Sequence, residues 1–314
     1  MIASSTDTGP AGALRIYGNL SLLEMAPVLL AAGRIYPGKT VLAHGGVMSL
    51  WGKHNDLPSL NAIGKSDLAT NSETQVLRSS YANPDLRMIL TVAECPYRIV
   101  ARRSAGIGAL ADLRGKRIGV MRKSSAEYFL DRMLRTVGFT AEDVTLVPFM
   151  AKTTAPRTQM PPALHSGQLD AITVWEPQMQ RAVNAIGADA IVFCDPAVYS
   201  ERFNLCTTQA EIDHPALRPK IVAFVRALIA ATNELQRAPQ AAQHGVAQAA
   251  GLDIETVKDA WPYLTYPARL SPDLTDILLP VDSWVAKETG RAPRTLGELA
   301  KLIDGGVLRE VLDC

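Results

Sequence analysis

The sequence is short of cysteine and has no cysteine pairing pattern. Its 314 residues include four, Cys95, Cys194, Cys206 and Cys314. None forms a CxxC pair, and none joins histidines at zinc-ligand spacing. The thiols therefore read as reduced and partly buried, with one disulfide left open. There is no run of about 18 apolar residues, so no transmembrane helix is expected. There is also no excess of either charge. The chain has 32 Lys+Arg against 31 Asp+Glu, a formal net charge of +1. That balance excludes a bulk electrostatic nucleic-acid binder and leaves only a local patch open. A secretory signal is not visible either. Met1 to Gly12 reads MIASSTDTGPAG, with no basic start and no apolar stretch. Two localisations stay open: cytoplasmic if Met1 is the native start, periplasmic or extracytoplasmic if an export signal was removed.

What is present is an ordinary globular composition. Hydrophobic residues make up 47% and charged residues 20%, which excludes a disordered chain. The length suggests two domains or one large one. Short apolar runs alternate with helical patterns. Strands are expected at Leu14–Tyr17, Thr40–Ala43, Asp67–Thr70, Met88–Val92, Arg98–Ala101, Arg117–Val120, Val144–Pro148, Ala171–Val174 and Ala190–Phe193. Helices are expected at Leu22–Ala32, Leu57–Ile63, Thr74–Ser80, Ala126–Val137, Pro161–Ser166 and Pro177–Ile186. This alternation implies parallel sheets covered on both faces. From Pro215 onward, Ala/Leu/Gln-rich helical segments dominate.

Two segments share the pattern G-x-x-D-x-x-T: Gly64-Lys-Ser-Asp67-Leu-Ala-Thr70 and Gly167-Gln-Leu-Asp170-Ala-Ile-Thr173. In each, a helix is expected to end at the glycine, where a left-handed conformation is cheap. Their recurrence in consecutive α/β units suggests two similar lobes. Capping boxes are expected at Ser21–Glu24, Ser72–Gln75 and Ser124–Glu127. Trp175-Glu176-Pro177 adds a fourth strand-to-helix junction. Helix starts at the carboxyl ends of strands offer N–H groups and a positive dipole end, which favour an anion. The plain alternative is that these boxes only stabilise their helices.

Asp112-Leu-Arg-Gly115-Lys-Arg-Ile-Gly119-Val and Lys123-Ser-Ser-Ala-Glu-Tyr-Phe-Leu130 resemble the second-lobe entry of type II periplasmic binding proteins. They are most similar to the nitrate/sulfonate/taurine branch of ABC transporter substrate-binding proteins (SsuA/THI5-like, NMT1-like). That branch also includes a thiamine-pyrimidine synthase domain. Ser166–Pro177 resembles that branch's segment in which a strand delivers an aromatic residue to the cleft, and Gly64–Thr70 resembles the matching first-lobe segment. The resemblance covers roughly residues 14–240. It implies a two-lobed α/β fold with two mixed sheets, a hinge and C-terminal helices. Lobe 1 would be residues 13–98 plus 200–314, and lobe 2 residues 99–199.

By position, the expected ligand-binding residues are Tyr17, Asn19, His44, Asn71, Ser72, Ser124, Ser125, Trp175 and Glu176. Asn19, Ser72, Ser124 and Ser125 would donate to an oxyanion, and Trp175 would stack on an organic body. Glu73 and Glu176 argue against a purely anionic ligand. Glu176 would hold a cation or amine if it faces the cleft, or serve as a helix-start carboxylate if it does not. His44 would lie in a flexible loop before Gly45-Gly46, within reach of ligand, or be a polar loop histidine. His54 reads as exposed, Cys95 as a structural thiol, Arg102-Arg103 as a solvated pair, Met121 and Phe129 as core, and Phe203–Cys206 as a returning crossover strand. No catalytic residue, cofactor or metal is expected.

Two main functions stay open, beside a ligand-sensing domain without transport. The favoured one is a solute-binding protein that captures a small organic anion, such as a sulfonate or carboxylate, in the inter-lobe cleft. The resemblance implies an ABC permease as its partner. The other is a cytosolic enzyme on the same fold, similar to the thiamine-pyrimidine synthase or an aromatic sulfinate desulfinase. The synthase resemblance would require a CCCFC segment, which this sequence does not contain. The desulfinase uses a cysteine at the end of the first strand, where this sequence reads Tyr17-Gly-Asn19-Leu20.

Overall fold

A computed structural model describes residues 12–53, 64–149 and 159–313. In chain order its main elements are β1 (Leu14–Gly18), α1 (Ala26–Leu30), β2 (Thr40–His44), β3 (Leu68–Ser72), α2 (Glu73–Ser80), β4 (Leu86–Pro96), β5 (Ile99–Arg102) and β6 (Arg117–Val120). Next come α3 (Ser125–Arg135), β7 (Thr145–Pro148), α4 (Met160–His165), β8 (Ala171–Thr173), α5 (Gln178–Ile186), β9 (Ala190–Phe193) and β10 (Ser200–Thr208). The rest is helical: α6 (Gln209–Asp213), α7 (Arg218–Arg237), α8 (Pro239–Ala250), α9 (Ile254–Ala260), α10 (Leu274–Thr289), α11 (Leu296–Ala300) and α12 (Gly306–Leu312).

The chain divides into two compact units. One runs up to Glu94 and adds Arg202–Ile254 and Thr265 onward; the other holds Cys95–Glu201 and Glu255–Leu264. Each is built on one five-stranded sheet. The orders are β2-β1-β3-β10-β4 in unit 1 and β7-β6-β8-β5-β9 in unit 2. β1 lies parallel to β2 and β3, and β6 lies parallel to β7 and β8. The alternating pattern implied parallel sheets, but both sheets are mixed. β10 runs antiparallel to β3, and β5 runs antiparallel to β8 and β9. These strands lie next to the points where the chain passes between units, so no crossover helix orients them.

The repeated G-x-x-D-x-x-T segments do the same job in each sheet. The Asp67 carboxylate accepts from Arg15 N at 2.8 Å, and Asp67 N donates to Arg15 O. Asp170 accepts from Arg117 N at 2.9 Å, and Asp170 N donates to Arg117 O. Each aspartate thereby sets the register at the start of the neighbouring parallel strand. Gly64 and Gly167 stand at φ of +79° and +77°, where a Cβ would be strained. The helix expected at Leu57–Ile63, and His54, lie outside the described residues.

Some boundaries differ from expectation. The helix expected at Leu22–Ala32 is a 3-10 turn at Leu23–Met25, then α1, then a π-helical turn at Ala31–Ile35. Pro27, which has no N–H to give, sits in the first turn of α1. The long β4 is almost continuously buried, as a strand covered on both faces must be. Its outer edge is not left open. Met88 N donates to Leu302 O, Thr91 N to Arg269 O, and Glu94 and Thr265 exchange both backbone bonds, so the C-terminal segment shields a templating edge. Arg102 is not simply solvated, because its Nε lies 3.4 Å from Asp189. Phe129 is fully buried, and Met121 packs half-buried against the unit 2 core. None of the helices is long and apolar enough to cross a membrane, among the described residues.

Candidate functional site

In unit 1 the carboxyl ends of β1, β2 and β3 lie side by side, with Gly18 in register with His44 and Tyr17 with Ala69. This brings Tyr17, His44, Asn71 and Ser72 to one edge of one sheet. Tyr17 is fully buried, so it supports the site from beneath. Burial pushes its hydroxyl pKa up, with Arg15 opposing and Asp67 adding to the rise. His44 and Asn71 are half-buried. The Asn71 Oδ1 accepts from Ser72 N at 3.0 Å. That bond engages Oδ1 and leaves Nδ2, which lies beside Gly46, as the donor.

The Gly45-Gly46 segment is held, contrary to the flexible loop expected. Gly45 N donates to Gly18 O, and Gly46 O accepts from both Ser49 N at 2.9 Å and Ser49 Oγ at 2.7 Å. Ser49 is in turn bonded to Ser66, hydroxyl to hydroxyl, at 2.6 Å.

The capping boxes form only in part. The 3-10 turn at Leu23 has Leu22, not Ser21, before it. Asn19 takes over that corner, accepting from Ser21 N at its Oδ1 and from Leu22 N at its carbonyl. This is the local turn chemistry that asparagine favours. Ser72 does precede α2, but its hydroxyl pairs with Thr74 Oγ1 at 2.9 Å. Ser124 precedes α3, but its hydroxyl donates to Met121 O at 2.6 Å. Glu127 reaches Lys123 N and Arg122 instead of Ser124 N.

In unit 2, Ser125 Oγ donates to Glu201 Oε1 at 3.0 Å. Tyr97 Oη donates to the same oxygen at 2.7 Å and lies 2.9 Å from Ser125 Oγ. All three side chains are buried. Both serine hydroxyl protons are thus engaged within the protein. What the start of α3 offers is backbone N–H and the positive end of the helix dipole, with no bond from its own cap side chain.

Glu176 resolves between its two readings. Its Oε1 accepts from Arg98 Nε at 3.0 Å and from Arg98 Nη2, and its Oε2 accepts from Gln180 N at 3.1 Å. It acts as a helix-start carboxylate, and the cation it holds is Arg98. The pair is almost wholly buried, with side-chain exposures of 1% and 3%. Burial pushes the Glu176 carboxyl up, and the guanidinium pulls it back. The Arg98 guanidinium also stacks on Tyr263, 3.6 Å from the ring centroid. Sequence reasoning missed Arg98, Tyr97 and Glu201, whose partners lie 78, 28 and 76 residues away. No local signal marks such pairings.

Trp175 is half-buried and packs on the core formed by Val100, Met160, Leu164 and Val174. Its Nε1 is buried and makes no hydrogen bond, and the same holds for Thr173 Oγ1. Indole N–H groups in such places normally find a partner. Cys95 and Cys206 are buried, and burial raises the Cys206 thiol far above its usual range. The exposed Cys194 is also raised, mainly by desolvation. No group of three or more metal-ligating side chains occurs among the described residues.

Two mixed five-stranded sheets with this strand order define a type II periplasmic-binding-protein fold. The NMT1/THI5-like family model matches residues 51–242, and the chain belongs to that family. A curated relative, the "Putative thiamine biosynthesis protein" of Haemophilus influenzae, is 28% identical over 116 residues. That match spans 37% of this chain and 35% of the relative, so the chain matches about a third of that protein's length.

Among solved structures, the chain is similar to the alkanesulfonate-binding protein SsuA from Xanthomonas axonopodis pv. citri bound to MOPS. The TM-score is 0.69 at 20% identity, covering 94% of this chain and 99% of that one. It is similar to the periplasmic nitrate-binding protein NrtA from Synechocystis PCC 6803, with a TM-score of 0.70 at 11% identity, covering 97% and 89%. It is also similar to the desulfurization enzyme DszB, with a TM-score of 0.63 at 15% identity, covering 96% and 99%. At these identities the likeness establishes the fold.

Proposed function

We propose that the chain is a solute-binding protein that captures a small organic anion, a sulfonate or carboxylate, and hands it to an ABC permease. The observation that carries this reading is the chemistry of the two strand-end patches. Each offers neutral donors: the Asn71 amide in unit 1, the first-turn N–H groups of α3 and the unsatisfied Trp175 Nε1 in unit 2. The carboxylates of the unit 2 patch are already engaged, Glu176 by the charge of Arg98 and Glu201 by two hydroxyl donors. At either patch an anion finds neutral donors. The relatives that bind an alkanesulfonate and nitrate support the same class of ligand.

Thiol chemistry of the desulfinase kind is not supported. The end of β1 reads Tyr17-Gly18-Asn19, and the buried thiol of Cys206 is held protonated.

A thermal-shift screen over sulfonates, carboxylates, nitrate and pyrimidines tests the proposal. A true ligand at about 100 times Kd should add roughly 2.7 kcal/mol of stability. Trp175→Ala should remove that gain while leaving the ligand-free protein folded. An unchanged gain in that variant refutes the assignment, and stabilisation by pyrimidines alone would move the reading to the thiamine-related chemistry.

A further inference from the structure

We infer that Gly46 is a positioning residue for Asn71, and that its missing side chain sets which way the Asn71 amide donates. The inference rests on the binding role proposed above for Asn71. Gly46 stands at φ −168° and ψ −169°, an extended conformation open to any residue, so its backbone does not call for glycine. Space does. A Cβ built there would lie 2.6 Å from Asn71 Nδ2, well inside contact distance.

Both sides of that contact are pinned, but unequally. Gly46 is held through its carbonyl by the backbone and hydroxyl of Ser49, which is backed by the buried Ser66. Asn71 is held at its side chain by one bond from Ser72 N. The amide is the end of a rotatable side chain, whereas the loop is backbone with three hydrogen bonds behind it, counting that of Gly45 to Gly18. A methyl group at position 46 therefore turns the Asn71 amide away and leaves the loop in place. Gly45 differs, since its Cβ would meet Tyr17 Cβ at 2.9 Å, which cannot swing aside.

The consequence for specificity is direct. With Gly46 the Asn71 Nδ2 occupies the space beside the glycine, and a site using that donor selects a ligand atom that accepts. With any larger residue that selection is lost.

The test compares Gly46→Ala with Gly33→Ala, where nothing lies within 4 Å of the added Cβ. In the ligand-free protein, the side-chain NH2 resonance pair of Asn71 is assigned by its loss in Asn71→Ala. It should shift in Gly46→Ala and stay in place in Gly33→Ala, with the two melting alike. Calorimetric titration with MOPS, ethanesulfonate and nitrate then reads binding. Gly46→Ala should weaken the probe that binds by about tenfold, the scale of one hydrogen bond to a charged group. In an Asn71→Ala background the same change should alter affinity by less than about twofold. An unmoved Asn71 resonance, or losses at the two positions that simply add, overturns the inference. Failure of all three probes on the unaltered protein counts against the binding reading instead, and the resonance then decides the Gly46 assignment alone.

Discussion

Asp282 offers the sharpest test of how unit 1 is held together. It lies in the middle of α10 and is fully buried. Its carboxylate accepts from Arg291 Nη1 at 3.1 Å and from Arg291 Nη2. It also accepts from Arg294 N at 2.7 Å, Nε at 3.0 Å and Nη2 at 2.7 Å. Arg294 passes the connection on to α2, donating to Ser80 Oγ and Leu77 O. One carboxylate thus ties α10 to the segment before α11 and, through Arg294, to α2. Asp282→Asn leaves two arginines of 5% and 13% side-chain exposure without their counter-charge. It also turns an NH2 group toward donors.

Removing one partner of a buried ion pair costs about 3–5 kcal/mol. For a unit of this size that lowers the melting temperature by about 6–20 °C. Circular-dichroism melting at pH 7 reads it directly. Asp131→Asn, which breaks an exposed helix pair with Arg135, is the control and should cost about 0.5 kcal/mol or less. The pH dependence adds a second reading. Burial pushes the Asp282 carboxyl up, but bonds from Arg291 and Arg294 outweigh it and hold it below the usual range. A depressed carboxyl stabilises the fold above its unfolded pKa of about 4 and loses that contribution as pH falls through its folded value. The gap between the unaltered protein and Asp282→Asn should therefore narrow on acidification. A gap under about 2 °C at pH 7, or one that widens in acid, would sink this account.

The repeated aspartates should respond to pH with opposite signs. Bonds from Arg117 hold Asp170 below the usual carboxylate range, so its stabilisation is present at neutral pH and fades as pH falls through that lowered value. Burial pushes Asp67 above the range, against the Arg15 backbone bond, so its favourable contribution belongs to low pH and is lost as pH rises through the raised value. Asp170→Asn should destabilise at pH 7, while Asp67→Asn should be neutral or stabilising there, and denaturant midpoints of equal sign would contradict this. Tyr97→Phe leaves the buried Glu201 and Ser125 one donor short, and should lower stability by about 1–3 kcal/mol in urea unfolding. An unchanged midpoint would mean that the hydroxyl cluster carries no weight.

The strands were legible where the chain itself states their limits. Arg117–Val120 and Ala190–Phe193 form as expected, because each is a short apolar run bounded by glycine or acidic turn residues. The direction of a strand is not written in its apolar pattern. β5 and β10 look like their parallel neighbours in sequence, yet run the other way. The shared G-x-x-D-x-x-T pattern was visible, but its reason was not. The arginine each aspartate serves lies 52 or 53 residues earlier, and only the parallel pairing of β1 with β3 and of β6 with β8 brings them together.

The candidate site divides along the same line. Ser72 and Ser124 were placed correctly before their helices, since a serine at the end of an apolar run is a strong start signal. Where each hydroxyl points was not, because a serine proton can turn to any acceptor in reach, and only the fold puts Thr74 Oγ1 beside Ser72 and Met121 O beside Ser124. Glu176 shows the stronger form of this rule. A carboxylate beside Trp175 at a helix start suits an incoming cation as well as it suits an internal one. Arg98, 78 residues away in sequence, already fills that role. A sequence can announce the charge that a site carries, but whether that charge is left for a ligand depends on what the fold has set against it. In this chain Glu176 and Glu201 are answered from within, by Arg98 and by the Tyr97 and Ser125 hydroxyls.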